Sequence, residues 1–201
     1  MIRILLIRHG VTDLLGHVLY GRMPGIYLNA EGFRQADRLG SMLNSRYKID
    51  EVVSSPLDRA TQTAQRVAAA AGIAVEIDPG ITEIDFGSWM GKSFQELNRL
   101  ANWTHYNRNR STSSPPDGES MLQVQARAWQ ALERVIHRRE LLAESTVAVV
   151  SHGDVIRCTL LFLLGMSIDH IYRIEIAPAS VSEILLGANG PVVNTINECL
   201  H

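Results

Sequence analysis

Two largely apolar runs stand out in the hydrophobic pattern, the first interrupted by Arg3, and each ends abruptly in polar chemistry. The first, over residues 2–7, passes into Arg8, His9 and Gly10, and the second, over 146–150, passes into Ser151, His152 and Gly153. Short apolar runs of this kind suit strands buried on both faces, as in a parallel sheet covered by helices. Between them the period changes to that of helices. Phe33, Ala36, Leu39 and Leu43 form one apolar face behind Asn29, a suitable N-cap. Residues 50–56 read as a second strand running into a serine-proline helix start, with Ser55 as cap and Pro56 in the first turn. That helix buries Ala60, Ala64, Val67 and Ala71 and is closed by Gly72.

A third strand is predicted over 74–77, a short helix over 93–100, a long helix over 119–143 and a buried helix around 160–164. The 11–26 and 79–91 stretches read as loops rich in glycine and proline. The 102–118 segment is the least regular and suits a lid or specificity loop. Residues 168–196 read as strands joined by turns, with Asn189-Gly190 as a hairpin signal. Strands alternating with helices predict an α/β three-layer sandwich, its mainly parallel central sheet flanked by helices, as one domain over 1–201.

Open α/β sheets bind ligands just beyond the carboxyl ends of their strands. Arg8 and His9 stand at such an end, and so does His152. If both strands are central and parallel, the two imidazoles emerge on one edge, where Arg59 in the first turn of its helix can join them. An imidazole can act as a nucleophile, and a guanidinium offers forked donors matched to phosphate oxygens. Helix N-termini add partial positive charge there. A lone strand-end Arg-His is usually structural; the same design at two distant places changes that weighting. A two-histidine metal site is the competing reading, but it lacks a third ligand at a recognisable spacing, so no metal is expected.

A net charge of -2 argues against a nucleic-acid partner. Arginine is the common basic residue, Lys48 and Lys92 being the only lysines, so a single arginine carries little weight. Cys158 and Cys199 stand far apart, at no metal or redox spacing, which fits a reducing cytoplasm. No stretch reaches the length of a membrane span.

The ordered motifs resemble those of the histidine phosphatase superfamily, the group that includes cofactor-dependent phosphoglycerate mutases and many small phosphatases. The resemblance covers nearly the whole chain. Arg8-His9-Gly10 with Thr12 looks like the nucleophile signature; Gly21-Arg22 and the stretch from Leu28 to Ala36 look like a second block, and Ser54 to Ala64 like a third. Glu83 to Trp89, Gly118-Glu119-Ser120 and Ser151-His152-Gly153 complete the set. The resemblance implies that His9 attacks phosphorus, that Arg8, Arg59 and His152 hold the oxygens, and that Glu83 serves as acid and then base. It makes Thr12, Gly21, Arg22 and Gly153 candidate substrate contacts, with no cofactor and a small phosphorylated metabolite as partner. Leu15 replaces an asparagine common in the family six residues after the nucleophile, which bears on one phosphate contact.

The chain lacks the insertions typical of mutases after the acid block, which favours hydrolysis. A phosphoglycerate mutase and a catalytically silent phospho-ligand or protein binder are the alternatives. Arg108 and Arg110 suit the binding of an acidic substrate tail but, in a polar loop, are expected rather in solvent. Trp89, Trp103 and Tyr106 suit either the pocket or the core, and Asp154 suits the start of a helix. His17, His105, His137, His170 and His201 belong to no motif. Apolar residues in the final strands leave room for a homodimer.

Overall fold

Alternation of side chains along the two apolar runs decides the layering. In a computed structural model, which describes residues 1–139 and 144–199, they form β1 (Ile2–Arg8) and a later strand, Ser145–Ser151, hydrogen-bonded side by side and parallel. Ile4 and Leu6, with Val147 and Val149, face one hydrophobic cluster, while Leu5 and Ile7, with Ala148 and Val150, face another. Successive residues of a strand point to opposite faces, so each run feeds two cores and needs no polar position.

The elements follow in the order β1, α1 (Ala30–Arg46), β2 (Glu51–Ser54), α2 (Asp58–Ala71), β3 (Val75–Ile77), α3 (Phe94–Leu97), α4 (Ala101–Arg108), α5 (Met121–Arg139), β4 (Ser145–Ser151), α6 (Gly153–Leu163), β5 (Val181–Gly187) and β6 (Gly190–Glu198). The sheet order is β3-β2-β4-β1-β5-β6. The β3, β2, β4 and β1 strands run parallel, and β5 and β6 continue the sheet antiparallel. Helices α1 and α2 cover one face with Leu39, Leu43, Ala60, Ala64 and Val67, and α5 and α6 cover the other with Val124, Leu132, Val155 and Leu160. This is the expected three-layer α/β arrangement. Among the described residues no helix is long and apolar enough to cross a membrane.

Several boundaries differ from the sequence expectation. Helix α2 begins after Leu57 rather than at the serine-proline pair, and Ser55 and Pro56 stay in the turn above β2. Residues 101–108, inside the segment expected to be irregular, form α4 because Trp103 and Tyr106 pack edge-on against Trp89, with ring centroids 5.2 and 5.3 Å away. Residues 168–173, expected to be extended, form a 3-10 helix held by buried Ile168 and Ile171. The long helix ends its described part at Arg139; its expected last turn over 140–143 lies outside the described residues, as does His201.

Candidate active site

Strand register brings the chemistry together. Arg8 pairs with Ser151, the His9 amide donates to the Ser151 carbonyl (3.0 Å), and the Ser55 amide donates to the Val150 carbonyl (3.0 Å). The carboxyl ends of β1, β4 and β2 therefore lie level and deliver His9, His152 and Ser55 to one place. The imidazole centroids of His9 and His152 are 5.2 Å apart.

The turn after β1 is held by close backbone contact. A Cβ on Gly10 would lie 2.7 Å from the Gly32 carbonyl oxygen, and one on Gly32 would lie 2.1 Å from that of Val11. Only glycines let the turn sit so tightly on the first turn of α1. The Gly10 amide also donates to Thr63 Oγ1 (3.1 Å).

His9 is almost fully buried, and its Nδ1 lies 2.7 Å from the Gly10 carbonyl. A carbonyl can only accept, so the proton belongs on Nδ1 and the lone pair on Nε2. Burial, followed by the charges of Arg59 and Arg8, holds His9 well below the ordinary histidine range and keeps it neutral. Arg59 is wholly buried; its Nε donates to His9 Nε2 (3.3 Å), its Nη2 donates to the Gly21 carbonyl (2.7 Å), and its guanidinium lies over the Tyr20 ring at 4.7 Å. Arg8 Nη1 donates to the Ile176 carbonyl (2.6 Å).

His152 is also wholly buried and is held neutral by burial, then by Arg59. Its Nε2 lies 2.7 Å from Ser55 Oγ, which accepts from the Leu57 amide at 3.4 Å. With the serine proton given to Nε2, the imidazole proton lies on Nδ1. Arg8 Nε, Arg59 Nη1 and His152 Nδ1 are all buried and have no hydrogen-bond partner among the described residues. Buried polar atoms are normally satisfied. Three unmet ones on the side chains around one histidine mark a place built for an anion with several acceptors.

Glu83 faces the same cavity, its Oε1 accepting from the Ile84 amide (3.0 Å). Desolvation, then the nearby charge of Asp154, raises its pKa to about 7 against the pull of Arg59. Its carbonyl is gripped by Arg22 Nε (2.6 Å) and Arg127 Nη2 (3.2 Å), and both arginines are tied to Glu119. The cavity, about 240 Å³, is lined on its floor by Arg8, His9, Gly21, Glu83 and Gly153. Apolar and aromatic walls come from Leu15, Leu19, Phe86, Phe94 and Trp103.

Of the candidates from the sequence, Arg8, His9, Arg59, Glu83 and His152 come together here, with Gly21 and Gly153 beside them. Thr12, Arg22, Arg59 and His152 are not themselves lining residues of the cavity; Arg59 and His152 lie against His9, which is one. Buried Thr12 meets the Tyr20 hydroxyl at 3.4 Å, and Arg22 binds the Glu83 carbonyl and the Glu119 carboxylate. Trp103 lines the cavity, while Trp89 and Tyr106 are core residues. Leu15 reaches the cavity, so the usual amide there is replaced by an apolar wall. Arg110, expected in solvent, is only 1% exposed and lines the cavity. Asp154 opens α6 as expected but also faces the cavity and binds two arginines, Arg110 at 3.3 Å and Arg157 at 3.1 Å. Arg127, Arg157 and the Ser55 contact to His152 carried no recognisable sequence signal. Among the described residues no three histidine, cysteine, aspartate or glutamate side chains gather as a metal site.

The α/β sheet thus brings two neutral imidazoles and two guanidiniums together at the carboxyl ends of its central strands. The chain belongs to the histidine phosphatase superfamily (branch 1), whose family pattern matches residues 4–199. It is 36% identical over 189 residues to a bifunctional protein of Mycobacterium tuberculosis, covering 94% of this chain and 51% of that protein, so it spans about half the length of that relative. It is 30% identical over 186 residues to a probable phosphoglycerate mutase of Yersinia enterocolitica, covering 92% of this chain and 85% of the relative. Among solved structures it is similar to a phosphoserine phosphatase mutant from Entamoeba histolytica in complex with phosphoserine, with 29% identity, a TM-score of 0.85 and coverage of 99% and 98% of the two chains. The phosphoserine phosphatase from the same organism in complex with 3-phosphoglyceric acid is 28% identical, with a TM-score of 0.85 and 98% coverage of both chains.

Proposed function

We propose that this protein hydrolyses small phosphate monoesters through a phosphohistidine at His9. One observation carries the reading: unpartnered buried atoms on Arg8, Arg59 and His152 gather around His9, whose Nε2 lone pair accepts only a long bond from Arg59 Nε (3.3 Å). In this reading the phosphoryl group lies among those three side chains, whose donors are already in place for the charge that develops on its equatorial oxygens. His9 Nε2 attacks phosphorus as the ester P–O bond breaks, and Glu83 gives its proton to the departing oxygen. Glu83, now ionised, takes a proton from water, the water oxygen attacks phosphorus, and the N–P bond breaks to return neutral His9 and release inorganic phosphate. A carboxyl with a pKa of about 7 is suited to both duties near neutral pH.

The guanidiniums of Arg8 and Arg59 supply the positive charge and His152 a neutral N–H, so the proposed chemistry calls on no metal. The reading places the enzyme in the cytoplasm, in keeping with its two free thiols, Cys158 and Cys199. Likeness to a probable phosphoglycerate mutase favours a second reading in which the phosphoryl group returns to an organic acceptor rather than to water. Two assays separate them. Phosphate release from p-nitrophenyl phosphate that His9→Ala abolishes supports hydrolysis. Conversion of 3-phosphoglycerate to 2-phosphoglycerate with a bisphosphoglycerate primer, without net phosphate release, supports the mutase and overturns it.

A further inference from the structure

Arg110 sits in the substrate cavity in a setting that the transfer of a phosphoryl group does not explain. Four residues on three elements hold it. Its Nη1 donates to Asp154 Oδ2 (3.3 Å) and to the Tyr106 hydroxyl (3.4 Å), and its Nη2 donates to Asn107 Oδ1 (2.8 Å) and to the Tyr172 hydroxyl. Tyr106 and Tyr172 also stack on the guanidinium, at 4.5 and 4.8 Å from their ring centroids. An arginine gripped at both terminal nitrogens and packed against two rings cannot swing away to solvent. Yet its Nε is buried with no partner among the described residues.

Charge bookkeeping points the same way. Asp154 is the carboxylate shared by Arg110 and Arg157, so the two guanidiniums carry one positive charge that it does not compensate. Glu175 lies 4.0 Å from Arg157, but its side chain is 77% exposed and adds little. Arg157 is itself oriented by donating to the Ile174 carbonyl (2.9 Å) and lies against Gly153, where a Cβ would meet Arg157 Nη1 at 3.3 Å and Arg8 Nε at 3.4 Å. The surplus charge therefore adjoins the phosphoryl cradle without belonging to it.

Resting on the hydrolase reading above, we propose that Arg110 is a specificity residue that receives a carboxylate on the leaving group, making the preferred substrate a short phosphate monoester of a hydroxy acid. One free N–H and one uncompensated charge match a monoanion. A neutral hydroxyl would leave the charge unmet, and a second phosphate dianion would exceed it and call for more than one donor. Volume agrees: about 240 Å³ is below the roughly 300–1,000 Å³ of sites for drug-sized ligands, which suits a short leaving group. Of the remaining lining residues, Leu15, Leu19, Phe86, Phe94 and Trp103 are apolar.

The test compares kcat/KM for 3-phosphoglycerate and for glycerol 3-phosphate, which has a hydroxymethyl group in place of the carboxylate, in the parent enzyme, Arg110→Lys and Arg110→Gln. Lysine keeps a charge beside Asp154, and with it the fold, but has no Nε donor or planar fork. The parent should prefer the carboxylated ester by about tenfold to a hundredfold, the scale of one charge-assisted hydrogen bond. Both variants should lose most of that ratio. Equal parent rates for the two esters, or a preference that survives both substitutions, overturns the assignment. Calorimetric Kd values for the same two compounds read the ratio without turnover, so the assignment is decided even if no ester is hydrolysed. Absence of phosphate release from p-nitrophenyl phosphate would refute the hydrolase reading alone.

Discussion

Replacing Glu83 by glutamine removes the proposed proton donor while keeping its shape. The structure sets the scale of the effect. A carboxyl whose pKa moves from 4.5 to about 7 favours its neutral form by about 3 kcal/mol more than in water. At pH 7 about half of Glu83 is then protonated, against less than about 1% for an unperturbed glutamate, a gain of roughly 150-fold in active acid. The sign follows from the role. Formation of the phosphoenzyme from an alkyl ester requires the protonated form, so kcat/KM should fall as pH rises through about 7. On the acid side it should fall as the substrate's own phosphate gains its proton near pH 6. For glycerol 3-phosphate or 3-phosphoglycerate, Glu83→Gln should lower kcat/KM by about 10²- to 10⁴-fold and erase the alkaline limb. For p-nitrophenyl phosphate, whose leaving group departs as an anion, the loss should be far smaller. Steady-state profiles from pH 5 to 9 on both substrate types suffice. An alkaline limb that persists with the same midpoint in Glu83→Gln, or equal losses on alkyl and aryl esters, would refute this role for Glu83.

Two further substitutions probe the supports of the site. Ser55→Ala leaves the buried Nε2 of His152 without its partner. An unmet buried group costs about 1–3 kcal/mol, so kcat/KM should fall about tenfold to a hundredfold. The ¹⁵N shifts of the His152 ring should report a change of tautomer, and unchanged shifts would count against the serine's role. Gly32→Ala places a methyl 2.1 Å from the Val11 carbonyl oxygen and forces the nucleophile turn off α1. It should destabilise the fold by roughly 1–3 kcal/mol, seen as a thermal midpoint several degrees lower. An unaltered midpoint would show that this close packing relaxes freely.

The site's centre was readable in the sequence because its geometry follows from strand ends. Runs as apolar as 2–7 and 146–150 had to be buried on both faces, and parallel pairing then aligned His9 with His152 through the Arg8–Ser151 register. Gly10 was readable as the turn after β1, but its close contact with Gly32 was not, since it joins two separate segments. The periphery was not readable, because it depends on contacts between distant segments. Arg110 is surrounded by polar neighbours in sequence, and its burial is created by Tyr172 and Asp154, 62 and 44 positions away. The α4 helix has few strong helix formers and exists through packing of Trp103 and Tyr106 on Trp89. Ser55 looked like a helix cap because serine before proline usually is one; here its hydroxyl is used by His152, and α2 starts without a side-chain cap.

The account rests on His9 Nε2 as the atom that bonds to phosphorus. Rapid quenching of the enzyme with a phosphate monoester, followed by peptide mass mapping and ³¹P resonance under alkaline conditions, measures this directly. An acid-labile, alkali-stable phosphoryl group on Nε2 of His9, absent from His9→Ala, is the expected result. A phosphoryl group carried by His152, or turnover that proceeds undiminished in His9→Ala, would contradict it.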